Sequence, residues 1–157
     1  MARDAAARLY DVDEDSVVLD GKATTIAFRA KKGRLIDLDK LHESIKATRL
    51  SDDGTAMELQ WLEVTAVGEV RAAKKGIRLK VTGSDQDFVL SEAPNARPKK
   101  GVPTAFEALR EALKRGEKVV RVTGRVDGWK GNFEEFLGKL PRKPRVLLVT
   151  GFRTVEK

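Results

Sequence analysis

The stretch "LEVTAVGEVRAAKKGIRLKVTG", residues 62–83, holds two β-rich runs joined by "AAKKG". In the second run Ile77, Leu79 and Val81 alternate strictly with Arg78, Lys80 and Thr82. A period of two puts the first set on one side of a strand and the second on the other, so one face is buried and one is basic. The first run belongs to a longer β-rich segment, "AMELQWLEVTAVGEV" (56–70), read as one strand or two collinear strands that connect the first part of the fold to the second. Gly68 sits in its interior, where a missing side chain permits the sharp coiling that closes a small barrel.

Working outward, "DFVLSE" (87–92) reads as a third strand, and "APNARPKKGVP" (93–103), with three prolines and a basic cluster, as a loop. Thr104 and Glu107 have the T-x-x-E spacing of a capping box ahead of Phe106, Leu109 and Leu113, and Gly116 is placed to end the helix. "KVVRVTGRV" (118–126), with Gly124 in its interior, and "RVLLVTGFRTV" (145–155) predict two more strands, joined by the long loop "DGWKGNFEEFLGKLPRKP" (127–144). The order from Trp61 onward is strand, strand, strand, helix, strand, strand. It resembles the OB-fold, a five-stranded barrel with its helix between the third and fourth strands. The resemblance covers residues 61–157 and rests on element order and glycine placement.

Upstream, "RDAAARLY" (3–10) predicts a short helix and "DVDEDS" (11–16) an acidic turn. "SVVLDGKATTIAFRA" (16–30) predicts a β-hairpin about Asp20-Gly21, a dipeptide whose positions accept positive φ. Asp37 or Asp39 then caps a helix in which Leu38, Leu41 and Ile45 recur at helical spacing. The stretches "AARLYDVDEDSVVLDGKATTIAF" and "IDLDKLHESIKATRL" resemble the heavy-metal-associated domain, a ferredoxin-like βαββαβ fold of metal chaperones and transporter arms. That family holds its metal with the two cysteines of a C-x-x-C loop between the first strand and first helix. This sequence matches neither that strand nor that loop, so no ligand position carries over. The expected fold class is therefore α+β: residues 1–60 as a truncated ferredoxin-like β-β-α-β unit, and residues 61–157 as a five-stranded OB-like β-barrel.

Composition narrows the chemistry. Among 157 residues there is no cysteine and one histidine, His42, which excludes disulfides, thiolate metal sites, a cysteine nucleophile and multi-histidine centres. A soft metal wants thiolates, so Asp37, Asp39 and His42 make a poor ligand set, and His42 reads as a residue flanking the Leu38/Leu41/Ile45 stripe. No cofactor is implied. The acidic run lacks the glycine and distal glutamate of a calcium loop. No phosphate-binding glycine loop or nucleophile elbow is present, and the adjacent Glu134 and Glu135 read as solvated, so the expectation is a non-enzymatic protein. No apolar run reaches the roughly 20 residues that span a bilayer, and "MARDAAARLYDVDEDS" lacks a signal-peptide apolar core, so no membrane role is expected; the compartment stays open, with the cytoplasm slightly favoured.

Charge directs attention to the second part. Residues 1–60 hold 10 Lys+Arg against 12 Asp+Glu, whereas residues 61–157 hold 21 against 12, so the formal excess of +7 belongs to the barrel. OB barrels commonly grip single strands with a basic groove and aromatic platforms. The expected partner is single-stranded nucleic acid or another polyanion, met by Arg71, Lys74, Lys75, Arg78 and Lys80 on the first hairpin and by Arg121 and Arg125 on the fourth strand. Trp129, Lys130, Arg142, Lys143 and Arg145 are the candidates around the last loop. Phe133, Phe136 and Phe88 are candidate stacking partners, although Phe88, like Trp61, Phe106 and Phe152, reads more readily as core. Phe133 and Phe136, with Leu137 and Leu140, also fit a short amphipathic helix plugging the barrel mouth. Two other readings stand beside this one. The hairpin is an open sheet edge suited to a protein partner or a homodimer, or the chain is a metal-handling protein whose cysteine loop lies upstream of the sequence given.

Overall fold

A computed structural model describes residues 11–22, 25–47, 59–74, 76–94, 99–129 and 144–155. The described residues fall into two units, one of those up to Gln60 together with Trp129 and the other formed by Trp61–Gly128 together with the described residues beyond 143.

The first unit has strands β1 (Val12–Asp20) and β2 (Thr25–Ala30), paired antiparallel as a two-stranded sheet, and helix α1 (Leu38–Lys46). Its acidic segment is not the turn expected from composition. It is the first half of β1, with Val12 opposite Ala30 and Asp13 opposite Arg29. Between Asp13 and Val18 the register breaks, five steps on β1 answering two on β2. Ser16 holds the bulge together: its hydroxyl donates to the Asp13 carbonyl at 2.6 Å and accepts the Arg29 N–H at 2.9 Å. The chain reverses later than a two-residue Asp20-Gly21 turn would allow, because Asp20 is itself paired with Thr25. An Asx turn begins the loop, the Asp20 carboxylate accepting the Lys22 N–H at 2.9 Å. Asp37 caps α1 by accepting the N–H groups of Asp39 and Lys40, and Leu38, Leu41 and Ile45 are buried on one face as their spacing requires. The predicted helix over 3–10 lies outside the described residues.

The second unit is a closed barrel built from β3 (Leu59–Ala73), β4 (Gly76–Val81), β5 (Asp87–Glu92), β6 (Val119–Trp129) and β7 (Arg145–Thr154). The strands neighbour one another in the order β3-β4-β5-β7-β6. The β3–β4, β4–β5 and β6–β7 pairs are antiparallel, whereas β5 and β7 run parallel in the register Phe88–Arg145 to Glu92–Val149. Helix α2 (Ala105–Lys114) supplies the crossover between β5 and β6. This closed mixed barrel is compatible with an OB-like fold. Val70, Leu79, Val81, Phe88, Leu90, Val122 and Leu147 fill its interior, and Leu109 and Ala112 bury the inner face of α2.

Local chemistry explains each joint. Ala73 pairs with Gly76 where β3 turns into β4, and Gly76 adopts φ +104°, which favours glycine. Thr104 accepts the Glu107 N–H while the Glu107 carboxylate accepts the Thr104 N–H at 2.9 Å, completing the capping box. The same hydroxyl donates to Glu92 at 2.6 Å and so ties α2 to the end of β5; such caps contribute about 1 kcal/mol. At the other end Gly116 donates to Leu113 and Glu117 to Ala112, the paired bonds of a Schellman stop. Gly68 and Gly124 stand where neighbouring backbones come too close for a side chain. A Cβ on Gly124 would lie 2.6 Å from the Leu148 carbonyl oxygen, and one on Gly68 would overlap the Lys80 carbonyl.

Candidate nucleic-acid interface

The site is determined by parity along the barrel strands. On β4, Arg78 and Lys80 point outward while Ile77, Leu79 and Val81 point in. On β6, Arg121 and Arg125 are exposed while Val120, Val122 and Val126 are buried. Alternation also decides two residues against expectation. Trp61 shares its parity with the exposed Glu63 and Thr65, and it is 38% exposed, not core. Arg145 shares its parity with Leu147 and Val149 at the start of β7, and it is buried at 6% exposure, not displayed on the outer face. Phe88 is buried on β5, as its reading as core predicts, and Phe106 and Phe152 are half-buried.

The described candidates form two groups. Arg71 and Arg78 are cross-strand partners on the β3–β4 hairpin, with Lys80 further along β4 and Lys74 in the turn. Carboxylates answer this group. Glu69 contacts Arg71 through two hydrogen bonds of 3.2 and 3.3 Å, Asp87 contacts Arg78 at 3.4 Å, and Lys80 is in register with both Glu69 and Asp87. These pairs are exposed and individually weak, but they lower the positive potential an anion would meet on the hairpin.

The second group surrounds β6 and was only half visible in the sequence. The Arg125 guanidinium lies 4.8 Å from the centre of the Trp61 ring, a cation–π contact between β6 and β3. A guanidinium stacked on a ring through its face keeps its N–H edge for an anion. Next to it the Thr65 and Thr123 hydroxyls are 3.0 Å apart, joining the same two strands. Arg121 lies directly opposite Arg153 of β7, a residue that composition did not single out. Among the described residues no carboxylate lies at ion-pair distance from Arg121, Arg125 or Arg153. The sequence held half of this signal: parity marks Arg121 as outward, but Arg153 shares the parity of the buried Leu147 and Val149, and it is the register shift between Val149 and Gly151 that turns it outward. Their juxtaposition depends on a register that only the closed barrel fixes.

Trp129 ends β6 and is a strand residue rather than part of the loop, although its side chain lies outside what is described. Lys75, Lys130, Phe133, Glu134, Glu135, Phe136, Leu137, Leu140, Arg142 and Lys143 also lie outside the described residues, and so does the His42 side chain. Among the described residues no group of three or more His, Asp or Glu side chains is placed to hold a metal ion, and no helix is long and apolar enough to cross a membrane. Comparison with protein-family models, curated proteins and solved structures returns no match, so the site rests on its own geometry.

Proposed function

We propose that the protein is a non-enzymatic binding protein whose OB-like barrel takes single-stranded nucleic acid on its outer face. The observation that carries the reading is the exposed Trp61 ring held by Arg125, with further outward arginines on β6 and β7 and no carboxylate at ion-pair distance from them among the described residues. Bases stack on an aromatic face whatever their sequence, and guanidinium groups take the phosphates, so one surface supplies both parts of sequence-tolerant recognition. Fluorescence anisotropy with labelled single-stranded DNA and RNA tests the reading. Saturable binding at low salt is expected, weakening with a log–log slope of about −0.7 per phosphate contacted. Absence of binding to either oligonucleotide at low salt would end this proposal.

The β1–β2 hairpin supports a second reading, self-association or capture of a protein strand. Its sheet has two strands among the described residues, and β1 exposes Val18 and Leu19 side by side. Light scattering that finds only monomer at high concentration argues against self-association. The heavy-metal-associated resemblance of residues 3–62 is retained as a proposal about descent, supported by the order of hairpin and helix, and it supplies no ligand set.

A further inference from the structure

We infer that Arg121 and Arg153 form a two-pronged site for one phosphate group, and that in the protein at work this group is an internal phosphodiester of a single strand; the second clause rests on the function proposed above. The two residues are direct partners in the β6–β7 register and both are exposed. Like charges placed directly opposite each other destabilise an antiparallel pair. On the β3–β4 hairpin the comparable Arg71–Arg78 pair is compensated, Arg71 by Glu69 and Arg78 by Asp87. Arg121 and Arg153 have no such carboxylate among the described residues, so an anion from outside relieves their repulsion.

The surroundings fit a phosphate. A cleft of 310 Å³ is lined by the two arginines with Thr123, Gly151 and Phe152. Gly151 keeps it open: a Cβ there would find no heavy atom nearer than Thr123 Cβ at 3.9 Å, so the gap beside the guanidinium groups is unfilled. Thr123 adds a hydroxyl that donates or accepts. Two guanidinium forks match the tetrahedral oxygens of a phosphate better than ammonium groups would. Arg125, which rests on the Trp61 ring of β3, lies four residues from Arg121 on β6, about 13 Å at the usual rise. One bound strand can therefore place a phosphate at the arginine pair and a base against Trp61.

The test uses the full chain with R121Q, R153Q, R121Q/R153Q and, as a control, K114Q on α2, whose cation is paired with Glu111, each titrated with labelled oligo-dT by anisotropy over a range of salt. The double variant is expected to bind at least tenfold more weakly and to lose about 0.7 from the salt slope, one phosphate's share. K114Q should change affinity less than twofold. Thermal melting of the double variant should be unchanged or higher than wild type, because a repulsion has been removed. Misfolding would lower it, and the single variants then carry the comparison. In parallel, inorganic pyrophosphate and poly-glutamate are titrated into wild type and double variant, followed by the amide signals of Thr123 and Gly151. Pyrophosphate shifts that disappear in the double variant support the site.

If oligo-dT binds both proteins within twofold and with equal slopes, and pyrophosphate moves neither amide, the phosphate site is overturned while nucleic-acid binding survives. If oligo-dT fails to bind wild type but pyrophosphate shifts these amides through the arginines, the phosphate site stands as a site for free phosphate, and the internal-phosphodiester assignment falls with the proposed function. Poly-glutamate shifting the same amides as strongly as pyrophosphate would overturn the assignment to phosphate in favour of acidic peptide.

Discussion

Gly68→Ala is expected to lower the melting temperature of the barrel by roughly 10 °C, the largest stability loss from any single methyl group added to it. Gly68 lies on β3 opposite Val81, where β3 and β4 converge to close the barrel. A Cβ at this position would overlap the Lys80 carbonyl oxygen, with the carbonyl carbon at 2.8 Å and Leu79 Cδ1 at 3.0 Å. Two of these three atoms are backbone, so relief requires moving β4 away and weakening the pairing on both sides. Overpacking a well-filled core costs about 1–3 kcal/mol, and a clash with backbone belongs at or above the top of that range. Gly124→Ala should behave similarly, since its Cβ would meet the Leu148 carbonyl at 2.6 Å and Leu147 Cγ at 2.9 Å. Gly21→Ala is the control. Nothing lies within 4 Å of its Cβ, so melting followed by circular dichroism should scarcely change. Equal melting temperatures for Gly68→Ala and Gly21→Ala would refute the close approach of β3 and β4.

The second large effect concerns binding. Trp61→Ala is expected to weaken single-stranded DNA binding by about tenfold or more, because a base stacked on an aromatic ring contributes about 1–3 kcal/mol. Trp61→Phe should fall between, keeping a ring of smaller area for both the base and Arg125. Arg125→Gln should also reduce the salt dependence, which Trp61→Ala should leave nearly intact, since only the arginine removes a phosphate contact. None of the three should unfold the barrel, as Trp61 and Arg125 stand on its outside. Anisotropy titrations at two salt concentrations separate these outcomes. Wild-type affinity in Trp61→Ala would show that the ring is not the platform.

The barrel was legible because its signals are local. Alternation at Ile77, Leu79 and Val81 and the Thr104/Glu107 box each act within a few residues and take the expected place, and the interior glycines do so too, although the backbone they make room for, at Lys80 and Leu148, comes from a neighbouring strand. The acidic segment at the start of β1 was not, because Asp and Glu are poor strand formers and their pairing depends on β2 and on the Ser16 bulge. Trp61 and Arg145 were misread for a different reason. Residue type argued for burial of the tryptophan and exposure of the arginine, while position argued the reverse. Counting back from Ala66, Gly68 and Val70 places Trp61 outward, and counting from Leu147 and Val149 places Arg145 inward. Arg153 shows the limit of such counting, since its partner Arg121 lies 32 residues away and only the β6–β7 register brings them together.

The central claim, that a single strand lies across Trp61 and the arginines of β6 and β7, is most directly tested by the indole N–H signals of the two tryptophans in an NMR titration with oligo-dT. Trp61→Phe assigns them by removing one. The account predicts that the Trp61 indole signal shifts progressively and saturates at the same oligonucleotide concentration as the anisotropy. A Trp61 signal that stays in place while the oligonucleotide binds, or in the presence of an oligonucleotide that does not bind at all, would contradict it.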